Sequence, residues 1–288
     1  MQVNPTTIEA SLALVLAMGL GMVAAAAEPA VARQRISPAA GWIAQVKPEG
    51  ATPRRADGHP DLTGYWTSEG FGVMDLYKPP GGYGFRGPAT LEPDQATLER
   101  ANLWNKPIYK PQFWKKVHDL DFGKIADDPQ FQGLPQGVPR MSAPQKIIQT
   151  DKEVVLYHWW GDRVRFIPVD GRSRDPQDSD QETYDGVGLG RWDGDTLVIE
   201  STGFNSISWL AWQGYLHSNR MTVTERLRRE GDLLYYQFTV DDPEYLEQPW
   251  TSDWTIRRLN KDPLARPQES PPWHEQDLDR IPDPYLRG

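Results

Sequence analysis

Cysteine is absent from the 288 residues, and with it go disulfides, thiolate nucleophiles and thiolate-held zinc or iron–sulfur centres. Positive charge is also short: 31 Lys and Arg stand against 40 Asp and Glu, for a formal net charge of -9. Nucleic-acid binding draws most of its affinity from clustered cations, so nucleic acid is excluded as a partner class. Several signatures are missing as well. No G-x-S-x-G elbow, Gly-rich phosphate loop, H-E-x-x-H or H-x-H with a following Glu occurs, which removes the standard hydrolase, nucleotide and metal patterns. His59, His118, His158, His217 and His274 are scattered. The reading is metal-free, with no organic cofactor.

Aromatic mass is plentiful, with 12 Trp and 11 Tyr, and a chain this long can bury a core. Near the start, "SLALVLAMGLGMVAAAAEPA" (Ser11–Ala30) pairs an apolar run with small residues, as the h-region and cleavage site of an export signal do. The expectation is a signal over 1–27, cut near Ala26 or Ala27, and a periplasmic or secreted protein. No Lys or Arg precedes Arg33, so a mis-assigned start or an uncleaved anchor stays open. The apolar part is short for a span of about 20 residues, and no stable membrane span is expected after signal removal.

Residues 28–56 read as a linker, 57–260 as a single domain and 261–288 as an irregular tail. Ten prolines between Gly70 and Pro144 mark 70–144 as an irregular lid or collar. One short helix is predicted there, where Thr90 can cap "LEPDQATLERANLW". Trp104, Tyr109, Phe113 and Trp114 favour a packed segment over free chain.

Hairpins follow Pro144, with turns at Thr150-Asp151-Lys152, Gly161-Asp162, Asp193-Gly194 and Glu230-Gly231-Asp232. With "DLTGYWTS" and "TSDWTIRRL" this makes seven or eight antiparallel strands. The fold class is mainly β, an antiparallel barrel rather than a sandwich. Gly64-Tyr65-Trp66 is a G-x-W on the first strand, and Arg257 or Arg258 on the last could stack over that Trp. These details make the barrel lipocalin- or calycin-like.

The strings "PRRADGHPDLTGYW", "DDPQFQGLPQGVPRMSAPQKIIQT", "GLGRWDGDTLVIESTGFN", "WLAWQGYLHS" and "TVTERLRREGDLLYYQFTVDDP" resemble a largely uncharacterised family of exported bacterial lipocalin-like proteins. The resemblance runs from about Pro53 to Trp250 and implies a secreted barrel without implying a reaction. Many members of that family carry cysteines in the segment matching Asp127 to Arg140 and near the C-terminus. This chain has neither, so packing around "PPWHEQDLDR" is expected in their place.

In Thr222–Val240 the alternation sets Val223, Glu225 and Leu227 on the inner face. A carboxylate there loses hydration and suits general acid or base work, although a structural ion pair with an Arg would look the same in sequence. His217, in the preceding loop, is the candidate partner, and Tyr157 or Arg165 would stabilise a developing oxyanion. Arg163 reads as solvated. Arg165 and Arg191 could hold a ligand carboxylate or enolate by paired hydrogen bonds, although solvated strand-face charges look identical in sequence, and Arg165 is left open between the two. Trp66, Trp159, Trp209 and Trp212, with His158, Tyr184 and Tyr236, are candidate ligand-binding residues for a flat ring. His158, alternating with Leu156 and Trp160, reads first as a satisfied core histidine and only second as a ligand contact.

The function expected is cofactor-free acid–base chemistry, as a lyase, dehydratase or isomerase, on a small cyclic or aromatic molecule. Non-catalytic small-molecule binding or carriage is the alternative, and a protein-docking module ranks below both. Nothing in the sequence sets the oligomeric state.

Overall fold

The computed structural model describes residues 46–68, 107–121, 127–159, 161–211 and 214–262. The expected export signal, the helix following Thr90, Trp212 and "PPWHEQDLDR" lie outside them.

Alternation decides the strands. In Thr222–Glu230 the side chains of Val223, Glu225, Leu227 and Arg229 are buried in turn, and in Glu153–His158 those of Val154, Leu156 and His158. A period of two puts each set on one face. In chain order the strands are β1 Gly64–Ser68, β2 Lys146–Gln149, β3 Glu153–His158, β4 Arg163–Pro168, β5 Val187–Asp193 and β6 Thr196–Thr202. They continue with β7 Thr222–Glu230, β8 Leu233–Asp241, β9 Trp250–Thr251 and β10 Thr255–Leu259. Nine run antiparallel in the order β4-β3-β2-β1-β10-β8-β7-β6-β5, and the short β9 pairs with β8. The four expected hairpin turns all join neighbours in this order. At Asp193-Gly194 the glycine has φ +56°, the left-handed conformation a tight hairpin needs.

The ends of the order, β4 and β5, meet and nearly close a barrel. A Cβ on Gly188 would come within 2.6 Å of Ile167 Cδ1, so the missing side chain is what lets the two strands approach. Inside lie Ile147, Leu156, Ile167, Leu197, Ile199, Leu227, Leu234, Tyr236 and Phe238, all buried.

One barrel end is sealed by Leu62 and Trp66. Trp66 Nε1 donates to Leu62 O at 3.0 Å, and the Arg229 guanidinium lies 5.1 Å from the Trp66 ring centre. The cation over this Trp therefore comes from β7, not from Arg257 or Arg258 of β10. Register explains the difference: Trp66 pairs with Leu259, while Arg257 pairs with Ser68 further into the barrel and Arg258 faces outward to Asp232. A strap over 49–62 ties the hairpin turns at this end, through Arg54–Asp195, Arg55–Asp151 and Gly231 N to Thr52 Oγ1. It begins at Glu49, ahead of the Asp57 at which the domain is expected to start.

Residues 127–145 cross the other end. Asp128 accepts from Gln130 N and from both Nη atoms of Arg140, an ion pair that is itself buried. Gly137, at φ +72°, lies so close to Tyr184 that a Cβ would sit 2.4 Å from the Tyr184 carbonyl oxygen. One α-helix is present among the described residues, α1 Pro111–Asp121, with Pro111 in its first turn and Phe113, Trp114 and Val117 on the core. Sequence reading places no helix there, because prolines at 107 and 111 mask a short run whose face is set by packing.

Candidate functional site

Strand register gathers the inward polar side chains at one level of the barrel. Glu225 on β7 is 0% exposed, and its oxygens accept from Arg165 Nη1 at 3.0 Å, Arg165 Nη2 at 2.6 Å and the Tyr236 hydroxyl at 3.0 Å. Arg165 reaches across from β4 and also donates to Ser201 Oγ at 3.1 Å. Burial works against the charge on Arg165, but the Glu225 carboxylate more than offsets this and the guanidinium is held more basic than usual. Burial, joined by the charge of Glu225, pushes the Tyr236 phenol well above its ordinary range, so the hydroxyl stays protonated and donates.

His158 on β3 and Arg257 on β10 complete the cluster. His158 is 1% exposed; Nδ1 donates to Ser142 O at 3.0 Å and Nε2 has no partner among the described residues. Burial first, then the charge of Arg165, hold its pKa well below 6.5; the Ser142 bond opposes them and Arg257 adds to them. The imidazole is therefore neutral at physiological pH, with a lone pair on Nε2. Arg257 is 5% exposed and burial lowers its pKa to about 10, partly offset by Tyr236 and Tyr65, which leaves it cationic. Its Nη2 is 3.4 Å from Ser142 Oγ and its Nε has no acceptor among the described residues.

The other sequence candidates lie elsewhere. Tyr157 projects from the opposite face of β3 and its hydroxyl donates to Asp162 at 2.5 Å, so it does not stand in the barrel with Glu225. His217 is buried beside Phe204, with Nδ1 donating to Ser218 O at 3.1 Å and Nε2 accepting from Ser208 Oγ at 3.0 Å. Both its nitrogens are thus engaged within the β6–β7 connection rather than with Glu225. Burial lowers its pKa, against the Ser218 bond and the charge of Asp242.

Trp66 belongs to the sealed end. Trp209 is buried in the β6–β7 connection, Tyr184 is half-buried beside Gly137, and the Trp159 amide donates to Gln145 Oε1 at 2.6 Å. Arg163 is paired with Asp185 at 2.6 Å rather than freely solvated. No group of three His, Asp or Glu side chains able to hold a metal occurs among the described residues.

No family model, curated protein or solved structure matches the chain. What the site can do therefore rests on its own chemistry. A neutral base and two guanidiniums, with a phenol bound to a carboxylate, are buried within electrostatic reach of one another, where fixed charges act strongly on a developing oxyanion. Sequence reading missed Arg257 as a member of this group. Alternation along "TIRRL" carries the signal, since it sets Arg257 on the face of Thr255 and Leu259.

Proposed function

We propose that the chain is an exported barrel protein whose interior carries out cofactor-free proton transfer on a small cyclic molecule, as a lyase, dehydratase or isomerase. The observation that carries this reading is His158, a buried neutral imidazole whose Nε2 lone pair has no partner among the described residues and which feels the charges of Arg165 and Arg257. Glu225 is the base suggested by sequence, but Arg165 and Tyr236 already occupy its oxygens. The roles follow from this. His158 Nε2 takes a proton from a ligand C–H or O–H, and the electron pair left behind moves to a ligand oxygen facing Arg257. Glu225 holds both the Arg165 guanidinium and the Tyr236 hydroxyl in place. Export is supported by Ser11–Ala30 and by the resemblance of the quoted strings to an exported family.

Deuterium wash-in tests the chemistry. Incubated in deuterated water with a panel of small cyclic ketones and carboxylates, the protein should label one class of compound as followed by proton NMR, and His158→Gln should bind that class without labelling it. Labelling that survives in His158→Gln refutes His158 as the base. A carrier is the second reading, favoured by the depth at which Glu225, His158 and Arg257 lie. It is the outcome if compounds quench tryptophan fluorescence saturably and none is labelled.

A further inference from the structure

Among the described residues, the buried guanidiniums of Arg140, Arg165 and Arg229 are answered and that of Arg257 is not. Arg140 has Asp128 and Arg165 has Glu225; Arg229 places its donors on the carbonyls of Asp61 and Gly231 and its face on Trp66. Arg257 has no carboxylate partner among the described residues, only a long contact to Ser142 and a donor Nε without an acceptor. An uncompensated buried charge is costly, because it gives up hydration without gaining a counter-charge. Folding alone gives no reason for a cation at this position.

A second unmet group stands beside it. Ser142 contacts both residues, its carbonyl on His158 Nδ1 and its hydroxyl on Arg257 Nη2. Because Nδ1 carries the proton, Nε2 presents an acceptor. The unmet pair is thus a cationic donor next to a neutral acceptor. A simple anion satisfies only the first, since its oxygens would face the Nε2 lone pair. A molecule with an ionised oxygen and a neighbouring hydroxyl satisfies both.

We propose that Arg257 and His158 form a recognition site for a small organic anion bearing a hydroxyl beside its carboxylate, a cyclic hydroxycarboxylate in the simplest case. The carboxylate accepts from Arg257, the hydroxyl donates to His158 Nε2, and the segment around Ser142 covers the bound molecule. This names the ligand class for the interior site read above and rests on that reading. It also assigns the excess positive charge of the cluster, Arg165 being balanced by Glu225.

The test is a thermal-shift and fluorescence titration of the full chain with mandelate, phenylacetate, mandelamide and inorganic phosphate. Mandelate should raise Tm saturably and bind roughly tenfold or more tightly than phenylacetate, which lacks the hydroxyl, or mandelamide, which lacks the charge. Arg257→Met should melt no lower than the parent without ligand and should lose the mandelate shift. His158→Leu should bind mandelate and phenylacetate alike. The inference is overturned if phosphate stabilises as well as mandelate, if the charged hydroxy acid has no advantage, or if Arg257→Met melts lower while keeping the shift. Should phenylacetate and mandelamide bind as well as mandelate, the ligand class is wrong and the interior site stands; should no cyclic probe bind, both fall.

Discussion

At Glu225 two roles meet in one side chain. Its carboxylate balances Arg165 and receives the Tyr236 hydroxyl inside the barrel. Glu225→Gln keeps the shape and removes the charge, leaving Arg165 as uncompensated as Arg257. The expected loss is about 3–5 kcal/mol by urea denaturation, because breaking one half of a buried pair strands the other. Arg165→Met added to Glu225→Gln should recover part of that loss, and a double mutant no more stable than Glu225→Gln would show that the stranded Arg165 charge is not its source. His158 makes a second prediction, on pH. Its pKa is depressed in the folded state by burial and by Arg165 and Arg257. The unfolded chain, with an ordinary histidine near 6.5, then binds more protons below that pH, so the stability linked to His158 is complete above pH 6.5 and lost as pH falls toward the folded value. His217, depressed by burial, acts in the same direction. Stability of the parent should fall as the solution is acidified below pH 6.5, and His158→Gln should make that slope shallower. An unchanged slope would mean that His158 does not titrate as its surroundings dictate.

Elements show where sequence patterns hold and where they fail. The β7 strand was legible in full: a strict alternation assigns Glu225 to the inside without any knowledge of the fold. Its partner was not, since Arg165 lies 60 residues away on the opposite wall and the contact exists only when the sheet curls round. His217 sits in a connection, where no period constrains direction, and its bonds to Ser208 and Ser218 leave no trace in sequence. Tyr157 misleads for a related reason. One step along β3 from His158, it falls on the outer face. The segment 127–145 supplies the prediction at this scale. Gly137→Ala would force a left-handed backbone on a residue with a Cβ and drive that atom into the Tyr184 carbonyl. The expected cost is about 1–3 kcal/mol. Hydrogen exchange should rise first at Met141, whose amide bonds Gly137 O, well before the β7–β8 amides. Simultaneous loss of protection in both would contradict a separately docked segment.

For the molecule as a whole, β1 and β10 come from opposite ends of the described chain yet lie side by side, with Trp66 opposite Leu259. β10 also pairs with β8, so one short strand joins the two parts of the sheet. A chain stopped before Thr255 should fail to fold cooperatively, giving a broad thermal transition, because β1 and β8 both lose their β10 neighbour. A sharp transition near the parental Tm would show that β10 is dispensable. The strap carries this proximity further, since Glu49 pairs with Lys261 at 3.6 Å and its amide donates to Asp232 at 2.6 Å. Where two stretches so distant in sequence touch, the order of the strands in the gene becomes a matter of choice: a circularly permuted barrel, linked from Lys261 to Glu49 and opened at the Asp193-Gly194 turn, keeps every strand pairing while moving its free ends to a different hairpin.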